Sequence, residues 1–210
     1  MTDLTDELDA GAVFRWLTAA AAAVEREADL LTELDSAIGD ADHGSNLQRG
    51  FAAVVTALGK ESPSAPGAVL ILAGRQLVSS VGGASGPLYG TLLRRTGKAL
   101  GDDEQVTGRQ LADALRVGVD AVAQLGGAAP GDKTMLDALY PGVEALSAGG
   151  PDPYGAARTA ADEGAQATVP LRARKGRASY LGDRSIGHKD PGATSSALLF
   201  TALAGAVADE

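Results

Sequence analysis

The sequence predicts an all-α protein. Apolar residues recur at helical spacing along most of the chain, the breaks between those runs carry glycine or proline, and no run alternates apolar and polar residues as a half-buried strand would. Alanine carries much of the 45% hydrophobic share and only 4% of residues are aromatic, a mix suited to closely packed helices. The 210 residues suffice for one domain with a single core, spanning 1–210.

The first element is a long helix over 10–34, where Val13, Trp16, Leu17, Ala20, Val24 and Leu31 form one buried stripe. Helices follow over 44–60, 66–82, 86–100, 107–125, 133–148, 153–169 and 192–208. Eight helices joined mostly by short glycine- or proline-bearing turns, such as 59–66 and 149–153, imply sequential antiparallel neighbours. The exception is 170–191, which holds glycines, bulky residues and charge but little helical period. So long a loop in a compact domain points to function.

A net charge of -9 and a pI near 4.7 oppose binding to nucleic acid or to an anionic membrane surface. The charge is uneven. Residues 1–42 hold eleven acidic side chains against Arg15 and Arg26, whereas six of the eighteen Lys and Arg lie within 172–189, an asymmetry that suits a phosphate site. Cysteine is absent, so metal binding falls to oxygen or to the two histidines, and hard cations are the natural candidates. The acidic N-terminus lacks a signal-peptide pattern and the apolar run 193–208 is short for a membrane span. The expected location is cytoplasmic.

Four segments carry chemistry. In LDSAIGDADHGSN (34–46), Asp35, Asp40 and Asp42 fall within eight residues. Their mutual repulsion calls for a cation, and all-oxygen ligation suits magnesium, which also binds substrate phosphates. The plainer alternative makes Asp42 a helix cap, Asp40 a turn residue and Asp35 a solvated side chain. His43, Gly44, Ser45 and Asn46 follow at a helix start, where donors can meet phosphate. GGASGP (82–87) precedes a helix and offers its amides to an anion, or is simply a capped turn with Ser85 as N-cap and Pro87 in the first turn.

The third segment, beginning at Gly126 and including PGDKTMLDAL (130–139), repeats that design. Met135 could face a nucleobase or lie in the core, and Lys133 could reach a phosphate or stay solvated. The fourth, GRASYLGDRSIGHKDPGATSS (176–196), brings cations that could close over phosphates. It can equally be read as a solvated basic loop with Asp190 as N-cap and Pro191 at the first helical position.

These four blocks, in this order and across nearly the whole chain, resemble the family formed by the L subunits of dihydroxyacetone kinases, called DhaL, and the equivalent C-terminal domains of single-chain dihydroxyacetone kinases. The resemblance implies an eight-helix antiparallel barrel with a nucleotide site at one end. It further implies that Asp35, Asp40 and Asp42 bind two magnesium ions bridging the phosphates of ADP or ATP, and that with Arg177 they form the catalytic set. By the same resemblance His43, Gly44, Ser45, Asn46, Ala84 and Ser85 lie beside the phosphates. Gly126 and Met135 border the adenosine, Arg177 approaches the nucleotide, and Asp190, Pro191 and Gly192 complete the rim. In one place the chain departs from the family pattern GDGDHG: Ala41 stands where the family has glycine, which matters if that position needs a positive φ.

The implied partners are a K-type subunit that holds dihydroxyacetone and an M-type phosphohistidine subunit, linked to the phosphoenolpyruvate phosphotransferase system, that recharges bound ADP. Activity is expected only with these partners, and a homodimer is left open. The alternatives are an ATP-dependent kinase subunit for another small ketose or polyol such as erythrulose, a relative of fatty acid kinases, and a non-catalytic nucleotide-dependent signalling module.

Overall fold

A computed structural model describes Leu4 and residues 7–208. Among them lie nine α-helices: α1 (Ala10–Arg26), α2 (Ala28–Ile38), α3 (His43–Glu61), α4 (Pro66–Ser80), α5 (Ser85–Leu100), α6 (Gly108–Gly126), α7 (Leu136–Ala148), α8 (Pro153–Ala167) and α9 (Pro191–Ala208). Eight of them, all but α2, close a ring in the order α1, α3, α4, α5, α6, α7, α8, α9 and back to α1. The all-α barrel is therefore what the chain forms. The short turns make neighbours antiparallel, so α3, α5, α7 and α9 all begin at one end, where α4, α6 and α8 stop.

Three local differences from the sequence reading have physical causes. The helix expected over 10–34 breaks at Glu27, whose φ of -99° and ψ of 7° end α1 with a hydrogen bond to the Ala23 carbonyl. The remainder extends to Ile38 as a separate α2 that packs on α3. The seventh helix begins at Leu136, not 133, because Lys133 takes a left-handed φ of 63°. Two three-residue strands, β1 (Glu7–Asp9) and β2 (Gln105–Thr107), pair antiparallel with Leu8 opposite Val106. They are too short to show alternation, and one inward residue from each suffices to seat the pair.

Local signals set the helix starts. Asp9 accepts from the Ala12 amide to cap α1, Thr107 and Gln110 form a reciprocal capping box at α6, and proline opens α4, α8 and α9. The barrel interior is apolar, with a small pocket lined by Trp16, Leu93, Val119, Val143 and Phe200. Leu17, Leu93, Val119 and Val143 are fully buried, and the Trp16 indole donates to the Leu199 carbonyl at 2.8 Å, tying α1 to α9. The most apolar helix, α9, is long enough to cross a membrane, yet two thirds of it is buried inside the protein. Helices α4 and α5 approach closely because Gly74 and Gly90 face each other: a Cβ on either would lie 2.7 to 2.8 Å from the other's carbonyl oxygen.

Candidate functional site

The turn between α2 and α3 is organised by Asp35. It sits in the last turn of α2, is buried, and its Oδ2 accepts the backbone amides of Asp42 at 2.9 Å and His43 at 3.2 Å. Asp35 thus supplies the anionic cap of α3 from a distance of seven residues. Asp42 occupies the N-cap position but makes no side-chain cap hydrogen bond, so its carboxylate is left for other work. Between them Ala41 takes a φ of 61°, the left-handed conformation that favours glycine.

That turn brings Asp35, Asp40 and Asp42 together with ligand oxygens all within 4.8 Å of one another. Three carboxylates so close repel strongly unless a cation sits among them, and the donor set is all oxygen, which fits magnesium. Arg177, at the start of the 3-10 segment Arg177–Ser185, reaches back to Asp40 Oδ2 at 3.0 Å. Both side chains are solvent-exposed, so this pair is adjustable rather than fixed.

The carboxylates form one wall of an open pocket holding about 1030 Å³, counting the part open to solvent. Four helix starts converge on it: Asp42 and His43 of α3, Ala84 and Ser85 of α5, Met135 and Leu136 of α7, and Pro191 and Gly192 of α9. Each contributes the positive partial charge of a helix N-terminus, although the Asp42 and His43 amides are taken by Asp35 and the Ala193 amide by Asp190, so the pocket favours an anion despite the acidic chain. The lining also includes the apolar Leu88, Val122, Ala128 and the buried Met135, together with Gly126.

A buried polar network ties three of these helices. His43 Nδ1 lies 3.1 Å from Ser85 Oγ and Nε2 lies 2.8 Å from Ser195 Oγ. The Tyr89 hydroxyl is 2.7 Å from Ser195 Oγ and 2.9 Å from Ser196 Oγ. Burial lowers the His43 pKa below its usual value, against the pull of Asp35 and Asp42, and burial raises the Tyr89 phenol to about 12. Both groups are therefore neutral near pH 7 and serve as hydrogen-bonding struts.

A second strut closes the far side. Lys133 is buried, and its ammonium donates to the carbonyls of Thr168 at 2.8 Å, Leu171 at 3.1 Å and His188 at 2.5 Å. Burial lowers its pKa, partly offset by Asp190 and Asp137. Asp137 holds the turn before α7 by accepting the amides of Gly131 and Thr134. Asp190 caps α9 through the Ala193 amide at 2.7 Å. Burial raises its pKa to about 7, and Asp137 and Asp35 add to the shift while the Ala193 hydrogen bond and Lys133 oppose it.

Of the residues singled out from sequence, Asp35, Asp40, Asp42, His43, Ala84, Ser85, Gly126, Met135, Arg177, Asp190, Pro191 and Gly192 line this one pocket. Gly44, Ser45 and Asn46 stand behind its wall, because α3 carries them away as it turns. Gly44 packs on the Ala28 carbonyl and the Thr32 hydroxyl, Ser45 Oγ donates to the Asp42 carbonyl at 3.0 Å, and Asn46 Oδ1 accepts from Arg49 at 2.6 Å. Lys133 neither reaches a phosphate position nor stays solvated, since its ammonium is spent on three carbonyls. Tyr89 and the Ser195 hydroxyl escaped the sequence reading. The signal for them was the run Thr194, Ser195 and Ser196 at the start of the most apolar helix, which needs buried polar partners.

The DAK2 domain family matches residues 37–205 of the chain. The chain is 45% identical over 198 residues to the ADP-binding subunit DhaL of the PEP-dependent dihydroxyacetone kinase of Escherichia coli (strain K12), with 91% of this chain and 94% of that protein covered. It is 39% identical over 218 residues to the D-erythrulose kinase of Mycolicibacterium smegmatis, covering 99% of this chain but 38% of that longer protein. The fold matches the crystal structure of the dihydroxyacetone kinase of C. freundii in complex with AMP-PNP and Mg2+, with a TM-score of 0.71 and 29% identity over 93% of this chain. The chain spans about a third of that larger protein.

Proposed function

The chain belongs to the DAK2 domain family, and from that premise we propose that it is the nucleotide-binding subunit of a PEP-dependent dihydroxyacetone kinase, a phosphotransferase active only with its partner subunits. One observation carries the reading. Asp35, Asp40 and Asp42 present their oxygens within 4.8 Å of one another on the wall of a pocket into which four helices point their N-termini. The higher identity to the E. coli ADP-binding subunit, 45%, against 39% to the erythrulose kinase, favours the dihydroxyacetone kinase reading.

The residues divide the work. Leu88, Val122, Ala128 and Met135, together with Gly126, form the apolar lining for the adenine. The phosphates lie toward Ala84, Ser85 and the starts of α3 and α9, where the helix N-termini carry positive partial charge. Two magnesium ions held by Asp35, Asp40 and Asp42 would neutralise the phosphoryl group and align it for transfer. Arg177, on an exposed and adjustable pair with Asp40, is placed to swing toward the transferring group.

General base catalysis has no evident home in the pocket. Both ring nitrogens of His43 are engaged by serine hydroxyls, and Asp190 is buried as a helix cap. The acceptor hydroxyl must then be activated by the K-type subunit that holds dihydroxyacetone, while an M-type phosphohistidine subunit recharges the nucleotide in place. Nucleotide released on denaturing freshly purified protein tests this. Near-stoichiometric ADP with magnesium supports a resident cofactor, whereas empty protein that exchanges ATP refutes the recharging scheme.

A further inference from the structure

A second basic feature lies outside the pocket. On the outer face between α5 and α6, Arg94, Arg95 and Lys98 line an open groove of about 840 Å³, counting solvent-open space, together with Ala121, Gln124 and Leu125. The cations of the 172–189 loop are largely neutralised: Arg172, Arg174, Arg177 and Lys189 each have a carboxylate within 4.0 Å. The three in the groove pair with no carboxylate among the described residues. Arg94 has in addition a buried Nε without a hydrogen-bond partner, so its guanidinium is the least compensated of the three. In a chain of net charge -9, an uncompensated cationic cluster in a concave site calls for an external anion.

We propose that this groove docks an acidic protein segment bearing an apolar side chain, supplied by a partner subunit that exchanges phosphoryl groups with this chain. The proposal rests on the functional reading above. Two features favour a protein segment over a small anion. Leu125 is 54% exposed beside the cations, offering an apolar contact that a free anion cannot use. Arg94 to Lys98 spans about one helical turn, the spacing of carboxylates along one face of a partner helix. Position favours a phosphoryl-exchanging partner, because Leu88 on α5 and both Val122 and Gly126 on α6 line the nucleotide pocket about one turn from the groove. A protein seated there has its edge at the pocket mouth.

The test reconstitutes transfer to dihydroxyacetone with the K-type and M-type subunits and titrates each against the wild type, the Arg95→Glu/Lys98→Glu double variant, and Arg75→Glu on α4 as a charge control. The expected result is a KM for one subunit raised tenfold or more in the double variant, with bound nucleotide and saturated rate unchanged and the control near wild type. The salt dependence of that KM should also flatten. KM values within twofold of wild type for both subunits overturn the proposal, as does an equal effect of the control or competition by millimolar inorganic phosphate alone. If the wild type transfers nothing, the functional reading fails. The groove is then judged by calorimetric titration of each subunit, where undiminished affinity in the double variant rejects it.

Discussion

The Tyr89 hydroxyl lies 2.7 Å from Ser195 Oγ, and through Ser195 the tyrosine reaches His43 at the start of α3. One buried phenol thereby fixes the relative positions of α3, α5 and α9 where they meet the pocket. Replacing it with phenylalanine keeps the ring but leaves buried hydroxyls short of a partner. The expected loss for Tyr89→Phe is about 1–2 kcal/mol, read as a melting temperature lower by roughly 2–8 °C, together with faster loss of bound nucleotide. An unchanged melting temperature would show that the network is incidental.

Ala41 holds a φ of 61° in the turn that gathers the three carboxylates. A left-handed alanine costs about 1–2 kcal/mol relative to the right-handed conformation, while glycine loses about 0.5–1 kcal/mol through unfolded-state entropy. Ala41→Gly is therefore expected to stabilise the protein by about 0.5–1 kcal/mol in urea denaturation. Destabilisation would mean that the Ala41 methyl makes a favourable contact outweighing its backbone strain.

Much of this site was legible in the sequence because its parts are short segments at helix starts. The carboxylate cluster, the glycine turns and the Asp190 cap each announce themselves within a few residues, and barrel closure then brings the segments to one end. What stayed hidden depends on long-range geometry. Glu27 breaks the first helix without proline or glycine. The strands pair across nearly a hundred residues through Leu8 and Val106. Lys133 reads as an ordinary solvated lysine until the left-handed turn sends its ammonium among carbonyls from the chain 35 to 55 residues further on. Gly44, Ser45 and Asn46, placed beside the phosphates by the family resemblance, lie outside the pocket lining because a helix turns successive residues away from one another.

Asp190 predicts a pH dependence. Burial raises its pKa from 3.8 to about 7, so between those values the folded state binds more protons than the unfolded one. Stability from this group is full below about pH 4 and is lost as the pH rises through 7. Metal-free wild-type protein, kept in chelator, should lose up to a few kcal/mol across that window, and Asp190→Asn should flatten the slope. A slope equal in both proteins would remove Asp190 as its source.

Asp40→Asn separates the metal's contribution from that of the carboxylate cluster itself. In chelator, the substitution relieves repulsion among three carboxylates within 4.8 Å and breaks an exposed pair with Arg177. The first gain is about 1 kcal/mol for a solvent-screened carboxylate and the second loss is smaller, so the metal-free variant should melt at or slightly above the wild type. With magnesium and ADP the order should invert. Ligand at a hundred times its Kd stabilises wild type by about 2.7 kcal/mol, a rise of roughly 5–11 °C, and about half or more of that rise should vanish in the variant as metal affinity falls at least tenfold. Loss of stability in chelator would point to Asp40 as a structural residue. A full magnesium-dependent rise in the variant would remove Asp40 from the metal set.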